Sequence, residues 1–174
     1  MLFVDIETTR LHLQNISMED RDFIYSQFSD DAVNRYLFDA KPMSDANEAD
    51  ELIRFYLQPE PRAQHRWILT RKTDGVKMGT CGFHCWNRKD GSVEVGYDLK
   101  QEFWGQGYVS EAMMAIIAFA RESMDVKTIS ACISVDNQKS IRVVEKLGFM
   151  PTGLEMLEFR GTEYPHRRYV LTLL

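Results

Sequence analysis

Apolar residues recur along the chain with two different periods, and the changes of period divide it into elements. Arg10-Leu11-His12-Leu13-Gln14 alternates polar with apolar, the pattern of a half-exposed strand. Ser17 followed by Asp20 resembles a capping box and predicts a helix over 18–28. Ser44 is read as the cap of a second helix, whose Ala49, Leu52, Ile53, Tyr56 and Leu57 share one face before Pro59 and Pro61 end it. The two-residue period returns over 66–71 and 77–86, joined by Thr73-Asp74-Gly75, and again from Val93 after a polar turn at 87–91. Three strands joined by short turns predict an antiparallel meander. A long helix over 107–124 then carries Val109, Met113, Ile116, Ile117, Ala120 and Met124 on one broad face. A strand over 128–135 and a helix over 137–147 follow, the helix closed by Gly148 with apolar Phe149 behind it. Strands over 150–159 and 167–173, separated by Gly161 and Pro165, complete the chain. The order β-α-α-β-β-β-α-β-α-β-β predicts a mixed α/β fold, with a mainly antiparallel sheet of about seven strands and about four helices.

The 174 residues suffice for one domain over 1–174 with a sizeable core, and neither a linker nor an internal repeat interrupts them. A formal net charge of −5 argues against a general nucleic-acid binder, which needs surplus Lys and Arg. The opening Met1-Leu2-Phe3-Val4-Asp5-Ile6-Glu7 has neither the basic nor the apolar part of a signal peptide, and no apolar run is long enough for a membrane span. Cys81, Cys85 and Cys132 are odd in number, which argues against a secreted disulfide framework. The expectation is a cytoplasmic protein that binds neither nucleic acid nor membrane.

The chemistry concentrates between Val93 and Ala112. A strand there runs into Lys100-Gln101-Glu102-Phe103-Trp104-Gly105-Gln106-Gly107 and then into a long helix. The first N–H groups of a helix lack intrahelical partners and sit at the positive end of its dipole, and glycines let a ligand approach the backbone. The stretch therefore predicts a phosphate or pyrophosphate site. A dinucleotide fingerprint fits it poorly, because Ser110 stands where a third glycine belongs and the preceding strand alternates around Glu94 instead of being wholly apolar. Cys81, His84 and Cys85 invite a zinc reading. On a regular strand, however, residues 81 and 85 stand ~13 Å apart and His84 points the other way, so small buried thiols are expected and no metal. His166 beside Arg167 and Arg168 reads as a solvated basic edge, and Arg142, Glu145 and Lys146 as a solvated helix face able to meet a phosphate.

Several of these pieces together resemble the GNAT superfamily of N-acetyltransferases, nearest its RimJ/RimL ribosomal-protein branch. They are Thr9-Arg10-Leu11-His12-Leu13, Glu94-Val95-Gly96-Tyr97, Trp104-Gly105-Gln106-Gly107-Tyr108 with Glu111-Ala112, and Asn137-Gln138-Lys139-Ser140 leading to Glu145-Lys146-Leu147-Gly148-Phe149. The resemblance implies acetyl-CoA as donor, a primary amine as acceptor (a protein N-terminus or a small molecule), and direct attack on the thioester. A homo-oligomer is compatible with it. It implies that backbone N–H groups of Glu102, Trp104, Gly105, Gln106, Gly107, Tyr108 and Val109 bind the CoA pyrophosphate. It further implies that the backbone of Tyr97, Asp98 and Leu99 pairs with the pantetheine arm, which the Asn137 side chain also holds. Glu102 departs from the family, which has Gln or Arg there. Gly96 is expected to form a bulge that splays this strand from the next. Glu94 is the candidate base, with Asp98 its rival and Glu158 a more distant one, and Ser140 is the candidate proton donor to the leaving thiolate. An alternative use of the same loop is a non-catalytic acyl-CoA-binding module.

Overall fold

The computed structural model describes residues 2–37, 41–159 and 161–173. Its strands are β1 (Ile6–Glu7), β2 (Leu11–Asn15), β3 (His65–Arg71), β4 (Lys77–Asn87), β5 (Ser92–Leu99), β6 (Thr128–Ser134), β7 (Met150–Phe159) and β8 (Thr162–Thr172). The helices are α1 (Arg21–Phe28), α2 (Asp31–Asn34), α3 (Ala46–Tyr56), α4 (Tyr108–Ser123) and α5 (Gln138–Lys146). One sheet of order β1-β2-β3-β4-β5-β6-β8-β7 contains every described strand, and only the β5–β6 pair is parallel.

The predicted meander and its order are present, with two short additions. Two-residue β1 pairs with β2, and four-residue α2 is capped by the Asp30 carboxylate on the N–H groups of Ala32 and Val33. Both are too short to leave a periodic trace in the sequence. Ser17 and Asp20 do form a capping box, but it opens a 3-10 turn (Met18–Asp20) ahead of α1. The cap of α3 is Asp45, not Ser44. Asp45 accepts from Asn47 N–H, and Glu48 reaches back to the N–H groups of Asp45 and Ser44.

The sheet is apolar on both faces, but unevenly. Trp67, Phe83, Val93, Val95, Ile129 and Tyr169 are buried with Met113, Ile116 and Ala120 of α4 in the larger core. Ile68 meets Ile24 of α1 and Ala49, Ile53 and Tyr56 of α3 in the smaller one. Leu57, assigned to that apolar face from spacing, is exposed, because α3 ends before it. Among the described residues no helix is long and apolar enough to cross a membrane.

His65 lies in the larger core's edge, stacked on Phe3 at 4.1 Å. Arg62 Nη2 donates to its Nδ1 at 2.8 Å, so its Nε2 carries the hydrogen offered to Asn15 Oδ1. Burial, helped by the charges of Arg62 and Arg66, pushes its pKa down to about 3. The folded chain therefore refuses a proton that the unfolded chain accepts below about pH 6.5, and stability falls as pH drops between those values. From pH 6.5 to pH 5 this one ring is expected to remove roughly 2 kcal/mol of unfolding free energy. Urea denaturation at the two pH values should give His65→Gln a shallower loss than wild type; equal losses would refute the assignment.

Candidate functional site

Pairing between β5 and β6 spans only Ser92–Glu94 against Thr128–Ser130, after which the two parallel strands part. Glu94 and Ser130 are the last pair, so Glu94 stands at the closed end of a V-shaped slot. The expected bulge at Gly96 is absent: Gly96 pairs in register with Gly82 of β4. The irregularity lies instead in β4 between His84 and Asn87, where Cys85 takes φ 54°. That extra residue leaves Cys85 exposed, against the expectation of a buried thiol, while Cys81 is buried and pushed up to about 12 by its burial. Among the described residues no group of His, Cys, Asp or Glu is arranged to hold a metal.

The open side of the slot continues into a cleft of about 790 Å³ against the start of α4. Gly105 and Gly107 have φ 74° and 81°, values that L side chains seldom adopt. Gly107 is the N-cap and offers no side chain, so α4 begins without a side-chain cap, and Tyr108, Val109 and Ser110 of its first turn line the cleft. The loop is braced from behind. Glu111 accepts from Thr8 Oγ1, Arg10 N–H and Arg10 Nε at 2.6–2.7 Å, while Arg10 Nη1 donates to the Gln106 carbonyl at 2.9 Å. This explains why Arg10 and Glu111, far apart in sequence, belong to one motif set. Burial opposes the charge on Glu111, and these donors outweigh it, holding its carboxyl below the ordinary range.

Trp104, Gly105, Gly107, Tyr108 and Val109 line the cleft; Glu102 and Gln106 do not. Glu102 is exposed and its carbonyl accepts from Gln106 Nε2, so its departure from the family pattern puts no carboxylate into the cleft wall. Trp104 Nε1 donates to the Leu99 carbonyl at 2.7 Å, folding the loop onto the end of β5 and occupying one of the backbone groups expected to face the pantetheine. Across the cleft Lys139, Arg142 and Lys146 share a face of α5, and Arg35 adds a fourth cation. A chain of formal net charge −5 thus gathers positive charge at one mouth, which fits a polyanion. Lys139 Nζ lies 4.1 Å above the Trp104 ring, joining the two walls.

Asn137 is the N-cap of α5: its Oδ1 accepts from Ser140 N–H at 3.2 Å, which leaves its amide hydrogens for a ligand. Tyr97 O–H donates to the Ser140 carbonyl at 3.3 Å, and burial pushes the phenol up to about 12, so it stays protonated. Tyr97, Asn137 and Ser140 line both this cleft and a second one of about 580 Å³ on the far side of the slot.

The second cleft has apolar walls at Phe28, Met43, Tyr56 and Leu157 and a polar floor. Glu94 Oε1 accepts from His84 Nε2 at 3.1 Å and Oε2 from Arg168 Nη1 at 3.3 Å, and Arg168 also binds Glu155. The bond from His84, with the charges of His84 and Arg168 behind it, outweighs burial and holds the Glu94 carboxyl below its ordinary range. Asp98 is buried and saturated. It accepts from Gln27 Nε2 at 2.7 Å, Thr80 N–H and Arg66 Nη1 at 3.1 Å each, and Thr80 Oγ1. Its oxygens are engaged within the fold, and burial pushes its pKa up against the opposing pull of Arg66, Thr80 and Gln27. His166 is buried in this cleft and bonded to the Tyr164 carbonyl, and so is no solvated edge, while Glu158 lines the rim. Sequence reasoning weighed His84 only as a zinc ligand and missed Arg66 here; a charged residue inside a mostly buried strand was the available signal for Arg66.

A family model described as an acetyltransferase (GNAT) domain matches residues 10–150. The uncharacterized N-acetyltransferase p20 of Bacillus licheniformis is 34% identical over 149 residues, covering 84% of this chain and 83% of its own. The uncharacterized N-acetyltransferase YoaA of Bacillus subtilis is 30% identical over 172 residues, covering 97% and 96%. Among solved structures, RimL, a ribosomal-protein alpha-N acetyltransferase in complex with coenzyme A, superposes with a TM-score of 0.88 at 17% identity over 97% of this chain and 98% of its own. A spermidine N-acetyltransferase from Vibrio cholerae, in complex with CoA and spermine, gives 0.84 at 19% identity over 95% and 96%.

Proposed function

The chain belongs to the GNAT acetyltransferase family, and from that premise we propose that it transfers the acetyl group of acetyl-CoA to a primary amine by direct attack within one ternary complex. Acetyl-CoA is the family's donor and supplies an activated thioester. The observation that carries the proposal is the meeting of the two clefts at Tyr97, Asn137 and Ser140, which lets a donor on one side face an acceptor on the other without an intervening wall.

In this reading the uncapped start of α4, with Gly105 and Gly107, binds the pyrophosphate, and Arg142 and Lys146 meet the remaining phosphate. Tyr97 and Asp98 offer backbone to the pantetheine, and Asn137 offers its amide. Ser140, in the first turn of α5, protonates the leaving sulfur. Proton removal from the amine belongs to the floor around Glu94. The apolar walls suit an acceptor with an apolar body, either an α-amine at a protein N-terminus, as in the RimJ/RimL branch, or a small amine. The reaction is assigned to the cytoplasm.

A covalent acetyl-enzyme is disfavoured by the nearest thiol. Cys132 lines the acceptor cleft, but burial and the negative charges of Glu155 and Glu94 push its pKa up, away from the reactive thiolate. Initial rates measured against both substrates are therefore expected to give intersecting double-reciprocal lines, with no acetylated protein after incubation with acetyl-CoA alone. Parallel lines with an acetylated Cys132 would overturn direct attack.

A further inference from the structure

We propose that His84, and not Glu94, receives the proton of the attacking amine, with Glu94 positioning the ring. The inference rests on the transferase reading above and names the residue that serves it. His84 and Glu94 are directly opposed across β4 and β5, on the sheet face that floors the acceptor cleft. Both oxygens of Glu94 are already engaged, by His84 Nε2 and by Arg168 Nη1. A carboxylate whose two oxygens already accept from the His84 ring N–H and from the Arg168 guanidinium is a poor proton acceptor at neutral pH, because an efficient base titrates near the working pH. The same carboxylate, as a pure acceptor, places the ring hydrogen on Nε2 and leaves Nδ1 with the lone pair.

Two features of the backbone aim that lone pair. A Cβ on Gly96 would lie 3.1 Å from His84 Cε1 and 3.6 Å from Nδ1, so the absence of a side chain there is what lets the Nδ1 edge lie over β5 at the mouth of the slot. The bulge at Cys85 follows immediately, where an extra residue turns a strand and redirects its side chains. Among the described residues no hydrogen bond is made to Nδ1. In the step assigned to it, the amine nitrogen bonds to the thioester carbon, its proton passes to Nδ1, and the C–S electron pair leaves on sulfur, which takes up a proton.

The charged and titratable groups around the pair are Arg66 on β3, Asp98 on β5, Cys132 on β6, Glu155 and Glu158 on β7, His166 and Arg168 on β8, and Lys41 and Tyr56 on the facing wall, and none of them is substituted in the variants used. Nitrogen NMR of histidine-labelled protein, with only four histidines to resolve, is expected to find the Nε2–H tautomer at His84 in wild type and a loss of that bias in Glu94→Ala. Acetyl transfer by His84→Ala is expected to fall ~10²–10⁴-fold in kcat/KM, with acetyl-CoA affinity unchanged and partial recovery on adding imidazole. His84→Gln, which keeps the side chain's bulk on the strand, should lose the rate as well. A wild-type rate in either variant, an imidazole-insensitive His84→Ala, or an Nδ1–H tautomer in wild type overturns the proposal. If wild type acetylates no amine, the transferase reading fails on its own, while the tautomer still tests whether Glu94 positions His84.

Discussion

Gly107→Glu is expected to weaken acetyl-CoA binding about a hundredfold or more, since each ~1.4 kcal/mol is a factor of ten in affinity. Two costs combine. Gly107 sits at φ 81°, and an L residue forced there loses roughly 1–2 kcal/mol. The new carboxylate would also stand at the start of α4, where Tyr108, Val109 and Ser110 line the cleft, and would compete with a bound anion for the helix's first N–H groups. Its Cβ would begin 3.4 Å from Arg10 Nη2, inviting an ion pair that draws Arg10 off the Gln106 carbonyl and loosens the loop further. Isothermal calorimetry checks the value, and Gly107→Ala separates backbone strain from charge. Affinity equal to wild type in the glutamate variant would show that the anion binds elsewhere.

Asp98→Ala should be a folding mutation more than a catalytic one. The Asp98 side chain is 2% exposed and answers Arg66, whose guanidinium lies beneath the acceptor cleft and over the Tyr56 ring. Removing one member of a buried ion pair strands the other, a loss of ~3–5 kcal/mol in unfolding free energy. Gln27 Nε2 and the Thr80 donors would lose their acceptor with it. Urea unfolding gives the loss directly. If instead stability is retained and only turnover falls, Asp98 acts in the chemistry after all.

Long periodic segments were legible in the sequence because burial enforces their period. The stripe Met113, Ile116, Ala120 on α4 and the alternation of Val93 and Val95 around Glu94 are both read correctly from spacing alone. The backbone of the glycine loop was legible because it is local: two glycines with positive φ, a helix start and no capping side chain. What stayed hidden depends on contacts distant in sequence. Arg10 and Glu111 are 101 residues apart, and only the docking of β2 beside the start of α4 brings them together. The pairing of Glu94 with His84 requires the β4–β5 register, and a bulge one residue later was invisible to a pattern that assumes a regular strand. The role of Gly96 was misread for a related reason. Its missing side chain signalled a special position beside the point where β5 and β6 part, but the position makes space for the His84 ring and forms no bulge.

In the proposed reaction donor and acceptor meet across the slot between β5 and β6, where the acetyl group passes from one to the other. Mass spectrometry of reactions containing the protein, acetyl-CoA and a panel of N-terminal peptides and small primary amines tests it most directly. The account predicts acetylated amine and free CoA appearing together in equal amounts, with both lost in Gly107→Glu. Tight acetyl-CoA binding with no acetylated amine across the panel, and thioester left intact, would contradict it and leave the cleft as an acyl-CoA-binding module.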